Sequence, residues 1–267
     1  MMTLVARSAT QARYVILGAY VLLCGFQLIV VGQAAEIQRT QSFGRVAELM
    51  PVFLQRGLGS RAMLLATFRG TVAFGYFHPV VCLLVTLVAM YIATEPAHEI
   101  ESGLVDLELA RPVARQWLLT RSLLLAGLVI LGAMLLMGTG TIIGARVFDT
   151  AGMDLPSAST RARLLLNLAA TAACFTGYAV LVAALSTRWS TAFTTAALTA
   201  VVLYLVDFLA IGWPLARRIA WISPFHYYPA LSVLGGESAL SRDVSILLGA
   251  SALCVGVAYL AFARRDL

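Results

Sequence analysis

The chain has 267 residues, 60% of them hydrophobic and 12% charged, with a mean hydropathy of +0.88. A water-soluble domain is about 45–50% apolar and about 25% charged, so this composition excludes a soluble globule of this size: there is too little polar surface to cover it. The net charge of +6 comes from arginine without a single lysine, and the arginines are scattered, lacking the cluster or motif of a nucleic-acid footprint.

A helix needs about 20 apolar residues to cross a hydrocarbon core about 30 Å thick. The first stretch to qualify is Tyr14–Ala35. It is longer than the about 7–15-residue apolar centre of a signal peptide and is read as a span. A long connection, Glu36–Ala73, follows; within it Met63–Thr71 is apolar but interrupted by Arg69, fit either to lie in the interface or to extend the next helix. The second span is Phe74–Thr94 and the third Leu118–Ile143. The third carries Gly127, Gly132, Gly138 and Gly140, with Gly144 just beyond, so that Gly140 and Gly144 form one GxxxG. Small residues let membrane helices approach closely, and packing within the chain is the expected use. The fourth span, Leu164–Leu185, holds Asn167 near its start, a candidate contact to a neighbouring helix. The fifth, Thr191–Trp213, holds Asp207, a costly carboxylate unless it reaches a partner, a wet pathway or interface water. The stretch Pro214–Asp243 mixes Arg217, Arg218, Trp221, His226, Tyr227 and Tyr228 with apolar residues, which reads as a re-entrant or interfacial segment with an aromatic belt. Val244–Ala263 is the sixth span. The expectation is one all-α integral membrane domain over residues 1–267.

The loop after the second span is the most informative piece. Ile100, Leu104 and Leu107 fall at helical spacing on one face. Glu99 and Glu101 would stand at the start of such a helix and Arg111 at its end, as the helix dipole favours. Pro112 would stop it, and Trp117 would mark re-entry into the membrane. A short amphipathic helix results, either a solvated connector or a docking element for a soluble partner.

Here the sequence resembles a known family. Glu99-x-Glu101-x-Gly103, followed by Leu109-Ala-Arg111-Pro112-Val-x-Arg115, resembles the loop of ABC-2 type permeases. Ser223-Pro224-Phe225-His226-Tyr227-Tyr228 looks like the segment those permeases carry before their last helix, and Phe262-x-Arg264-Arg265-Asp266-Leu267 like their ending. The chain departs from the pattern at Leu104, where many relatives have threonine, and in its long first outer loop.

The resemblance implies the membrane subunit of an exporter in a prokaryotic cytoplasmic membrane, with both termini cytoplasmic. The loop around 99–115 would be a coupling helix, with Glu99, Glu101, Gly103, Leu104, Leu107, Arg111, Pro112 and Arg115 meeting an ABC ATPase. Two ATPase copies, binding ATP and magnesium, would drive two permease chains, identical or not. The positive-inside rule says little: Arg7, Arg13, Arg111, Arg115, Arg121, Arg188, Arg264 and Arg265 on the inner side are fewer than half of the 19 arginines.

The residues themselves supply no catalyst. There is no GxxxxGK[ST] phosphate loop, HExxH or GxSxG, so the expectation is a non-enzyme without its own cofactor. Cys24, Cys82, Cys174 and Cys254 sit in separate apolar segments, and His78, His98 and His226 are apart in sequence, a poor pattern for a metal. The rival is an ATP-independent secondary transporter or channel, a class marked by inverted repeats, broken helices and buried coupling charges.

Overall fold

The computed structural model describes residues 2–43, 62–103, 116–236 and 239–264. Every secondary-structure element among them is helical. In chain order these are α1 (Met2–Arg39), α2 (Ala62–Leu65), α3 (Phe68–Phe77), α4 (Pro79–Ala93), α5 (Glu95–Glu101), α6 (Trp117–Val147), α7 (Ala158–Leu185), α8 (Trp189–Ala210), α9 (Pro214–Ile219), α10 (Ala230–Gly235) and α11 (Leu240–Ala263). Two short 3-10 turns, Ala220–Ile222 and Pro224–Tyr227, join α9 to α10.

Six helical runs are long and apolar enough to cross a membrane: Arg7–Arg39, Phe68–Glu101, Trp117–Val147, Ala158–Leu185, Trp189–Ala210 and Leu240–Ala263. They coincide with the six predicted spans, with shifts at the ends that local chemistry explains. The fourth begins at Ala158 instead of Leu164 because the Ser157 hydroxyl caps it, accepting the Thr160 N–H at 3.1 Å. The fifth stops at Ala210, ahead of Gly212 and Pro214. The ambiguous piece Met63–Thr71 divides: Ala62–Leu65 is a separate turn, and the Thr67 hydroxyl caps a helix that begins the second span at Phe68. An even number of crossings returns the chain to the end of the bundle where α1 starts, called the near end below; α9 and α10 lie at the far end.

The second span is broken. Pro79 has no N–H to give, and His78 leaves the helical region at φ −57°, ψ 136°. The Val80 N–H, which would serve the Tyr76 carbonyl in a continuous helix, turns instead to His78 Nδ1 at 3.3 Å. The Tyr228 hydroxyl takes its place, donating to the Tyr76 carbonyl at 3.2 Å from the far-end segment. Both tyrosines are buried. Tyr228→Phe is therefore expected to lower stability by about 1–3 kcal/mol, the cost of stranding a buried acceptor. Thermal unfolding in detergent measures this, with Tyr227→Phe, whose exposed hydroxyl serves the Trp221 carbonyl, as the milder control.

The core sits around α7, which packs most extensively on α11 and also on α4, α6 and α8. Phe175, Ala179 and Val180 of α7 meet Val85 and Ala89 of α4 and Phe262 of α11 in one apolar cluster. The Ser251 hydroxyl of α11 donates to the Ala173 carbonyl at 2.8 Å, close to Gly177. The other dominant contact is α1 on α6. By contrast α8 buries only Ala192, Ala196 and Ala200, a seam of small residues one helical turn apart.

Candidate functional site

At the near end, Pro96 opens α5, where a first-turn proline loses nothing. The helix ends at Glu101, and Gly103 follows in the left-handed region at φ +69°, a conformation glycine adopts without penalty. This corrects the sequence reading in one respect: Glu99 and Glu101 occupy the last turn of a helix begun by Pro96, not the first turn of one running to Arg111. Leu104, Leu107, Arg111, Pro112 and Arg115, and with them the predicted Ile100–Leu104–Leu107 face, lie outside the described residues.

The two carboxylates of α5 do different things. Glu99 is 4% exposed and accepts a charge-assisted hydrogen bond from the guanidinium of Arg121, itself 1% exposed, in the first turns of α6. Withdrawing two charges from water costs several kcal/mol each, and close pairing offsets it. Glu99 thus faces inward and is no part of a solvated acidic surface. Glu101 is exposed, and its Oε2 accepts the backbone N–H of Trp189 at 2.9 Å. A carboxylate there satisfies an orphan donor and complements the positive end of the α8 dipole. Pro96 and Ala97 are buried with Glu99, Ile100 is half-buried against the core, and His98, Ser102 and Gly103 are exposed.

One short helix is therefore fastened by neighbouring acids to the starts of two membrane-length helices, α6 through Glu99 and α8 through Glu101. Around it stands an aromatic group. Tyr91 meets Trp189 edge-on at 5.7 Å, Trp189 stacks on Phe193 at 5.6 Å, and His98 lies 6.1 Å from Trp189. Arg121 is the residue that the sequence reading counted only among the inner-side arginines, although it falls within the predicted third span. Its signal was position: an arginine inside the apolar run that opens the third span needs a partner.

The far end holds the second predicted polar point. Asp207 Oδ1 lies 3.5 Å from His226 Nδ1, with both side chains partly exposed. The Ser223 hydroxyl donates to the Leu203 carbonyl at 2.9 Å, and Phe225 packs edge-on against Tyr204 at 5.1 Å. Arg217 donates to the carbonyls of Ala210 and Ile211 at the end of α8, where a cation suits the dipole. Asp207 thus belongs to the clasp that folds the Pro214–Tyr228 segment onto α8. Because the pair is partly solvated, Asp207→Asn is expected to change unfolding free energy by less than about 1 kcal/mol, and by less again in high salt; denaturant titrations at two ionic strengths read this directly.

Asn167 stands apart from that pair. It is fully buried in α7, its carbonyl accepts the Thr171 hydroxyl at 2.9 Å, and neither atom of its side-chain amide has a protein partner. The expected bond to a neighbouring helix is not made. Among the described residues no three His, Cys, Asp or Glu side chains gather as a metal site, and the four cysteines are free. Among the described residues the arrangement ties α5 to the starts of α6 and α8. No protein-family model, no curated protein and no solved structure matches this chain.

Proposed function

We propose that the chain is the permease subunit of an ABC-2 type exporter, with a separate ATPase pressing on α5 and the residues after it. The observation that carries this reading is the double fastening of α5, through Glu99 to Arg121 of α6 and through Glu101 to the N-terminus of α8. A push on a helix so tied reaches the third and fifth spans together, which is the property a coupling element needs. Its outward side, with His98, Ser102 and Gly103 exposed, leaves room for a partner. In this reading both termini and α5 face the cytoplasm, the Pro214–Gly235 segment is re-entrant or interfacial on the outer side, and two permeases work with two ATPases that bind ATP and magnesium.

Affinity purification from native membranes in mild detergent tests it. A phosphate-loop ATPase is expected to copurify with the wild type, to be lost with Ser102→Trp on the exposed side of α5, and to be retained with Asp207→Asn at the far end. Wild-type protein that brings down no such ATPase in several detergents would reject the reading.

One observation favours the rival, an ATP-independent transporter. The second span is discontinuous at His78–Pro79, and broken spans line the binding sites of many secondary transporters. Transport by the purified chain alone in proteoliposomes, driven by an ion gradient, would decide for it.

A further inference from the structure

We infer that the far-end segment after α8 binds the phosphate head group of a phospholipid through Arg218, with a preference for lipids of net negative charge. The segment has two unlike sides. Ala216, Ala220 and Ser223 are buried, and this side is held to the bundle by Arg217 and the Ser223 hydroxyl, which donate to carbonyls of α8 and its C-cap. Leu215, Arg218 and Ile219 fall at i, i+3 and i+4, on a common side of α9. Leu215 is 58% exposed and Ile219 47%, with Trp213, Trp221 and Ile222 exposed beside them. Arg218 is exposed as well, and no carboxylate pairs with it among the described residues.

What covers this apolar side follows from α8. Leu198, Val202, Leu205 and Leu209 are exposed at i, i+4, i+7 and i+11, one stripe along a membrane-length helix that buries only three alanines. On a helix that crosses a membrane such a stripe meets acyl chains. Trp213 and α9 begin where the stripe ends, and Arg217 ties them back to it. The aliphatic side of α9 therefore continues the lipid face up to the head groups, the level at which tryptophans collect and amphipathic helices lie with their apolar residues sunk in the membrane. An arginine on that side extends its guanidinium to the phosphates, whose oxygens it can bind two at a time. In a zwitterionic lipid the ammonium competes for the phosphate; in an anionic lipid it does not, hence the preference. The inference concerns the end of the molecule away from α5 and holds whether or not an ATPase docks there.

The test uses the full chain in bilayers of phosphatidylcholine, with Trp117, Trp189 and Trp213 changed to phenylalanine so that Trp221, three residues after Arg218, alone emits. Phosphatidylcholine with brominated acyl chains is expected to quench Trp221 strongly, and aqueous acrylamide weakly. Displacing the brominated lipid with unbrominated phosphatidylglycerol or phosphatidylcholine then gives their relative affinities beside Trp221. Phosphatidylglycerol is expected to be favoured about five-fold, the worth of one basic residue at an anionic surface. Arg218→Gln should abolish the preference, and Arg218→Lys, which keeps the charge, should retain most of it. Arg163→Gln, at an exposed arginine of α7, should leave it unchanged. If brominated lipid does not quench Trp221, water or a second copy of the chain covers this side and the inference is overturned. A preference that survives Arg218→Gln, or that Arg163→Gln removes equally, overturns it too.

Discussion

Glu99→Ala is expected to destabilise the protein by up to about 3–5 kcal/mol, because it removes a carboxylate paired with the buried Arg121 guanidinium. Arg121 is 1% exposed and Glu99 4%, so neither can turn to water without opening the α5–α6 junction. Arg121→Ala should cost a similar amount, since it removes a donor to a buried carboxylate. The double change Glu99→Leu with Arg121→Met removes both charges and keeps the volume, and it is expected to recover most of the loss, as buried ion pairs often exchange for apolar pairs with little net effect. Reversible unfolding in mixed micelles measures all three. If either single change costs under about 1 kcal/mol, the pair is hydrated and the fastening of α5 to the third span is weak. The double variant is also the useful one for function. It should fold, yet apolar packing aligns the junction less strictly than a guanidinium–carboxylate pair, so if the proposed function holds, coupling to the ATPase should suffer more than stability does.

The six spans were legible because lipid imposes a simple rule, about 20 apolar residues per crossing, and the sequence obeys it without interruption in five places. Pro79 breaks the remaining one, the second span, and the partner of the freed Tyr76 carbonyl, Tyr228, is 152 residues away, beyond any local pattern. The site was legible only by position. Glu99 and Glu101 look alike as neighbouring acids in a polar loop, and helical spacing cannot say that one turns inward to Arg121 and the other outward to the start of α8. Pro96 and Gly103 do bracket α5 in the sequence, by first-turn and left-handed-turn preferences; the apolar spacing of Ile100, Leu104 and Leu107 drew attention to the residues that follow it instead. Asp207 and His226 stood out separately as an intramembrane acid and a lone histidine. That they meet follows from the fold of Pro214–Tyr228 back onto α8, which the Ser223 and Arg217 hydrogen bonds to α8 carbonyls bring about.

Gly140→Ala is expected to cost about 1–3 kcal/mol, while Gly127→Ala, thirteen residues earlier on α6, should be neutral or stabilising by up to about 1 kcal/mol. A methyl group at Gly140 would stand 2.6 Å from the Cys24 carbonyl oxygen and 3.3 Å from its carbonyl carbon. These are backbone atoms and cannot swing aside, so α1 would have to lift from α6. At Gly144 the methyl would meet Val31 Cβ at 3.0 Å, a side-chain contact with a little more give, so that Gly144→Ala should be the milder change. At Gly127 nothing lies within 4 Å, and alanine there only removes glycine's entropic cost in a helix. The asymmetry matters because water does not drive membrane helices together; close packing does. The α1–α6 contact is the most extensive that α1 makes, so a displacement there has no second interface of equal size to absorb it. Heating each variant and measuring the surviving monodisperse fraction by fluorescence-detected size exclusion ranks them. Equal survival of Gly140→Ala and Gly127→Ala would mean that α1 does not lie against α6 at this distance. A lower survival for Gly140→Ala, with Gly144→Ala between the two, is the result expected of a backbone contact that cannot yield.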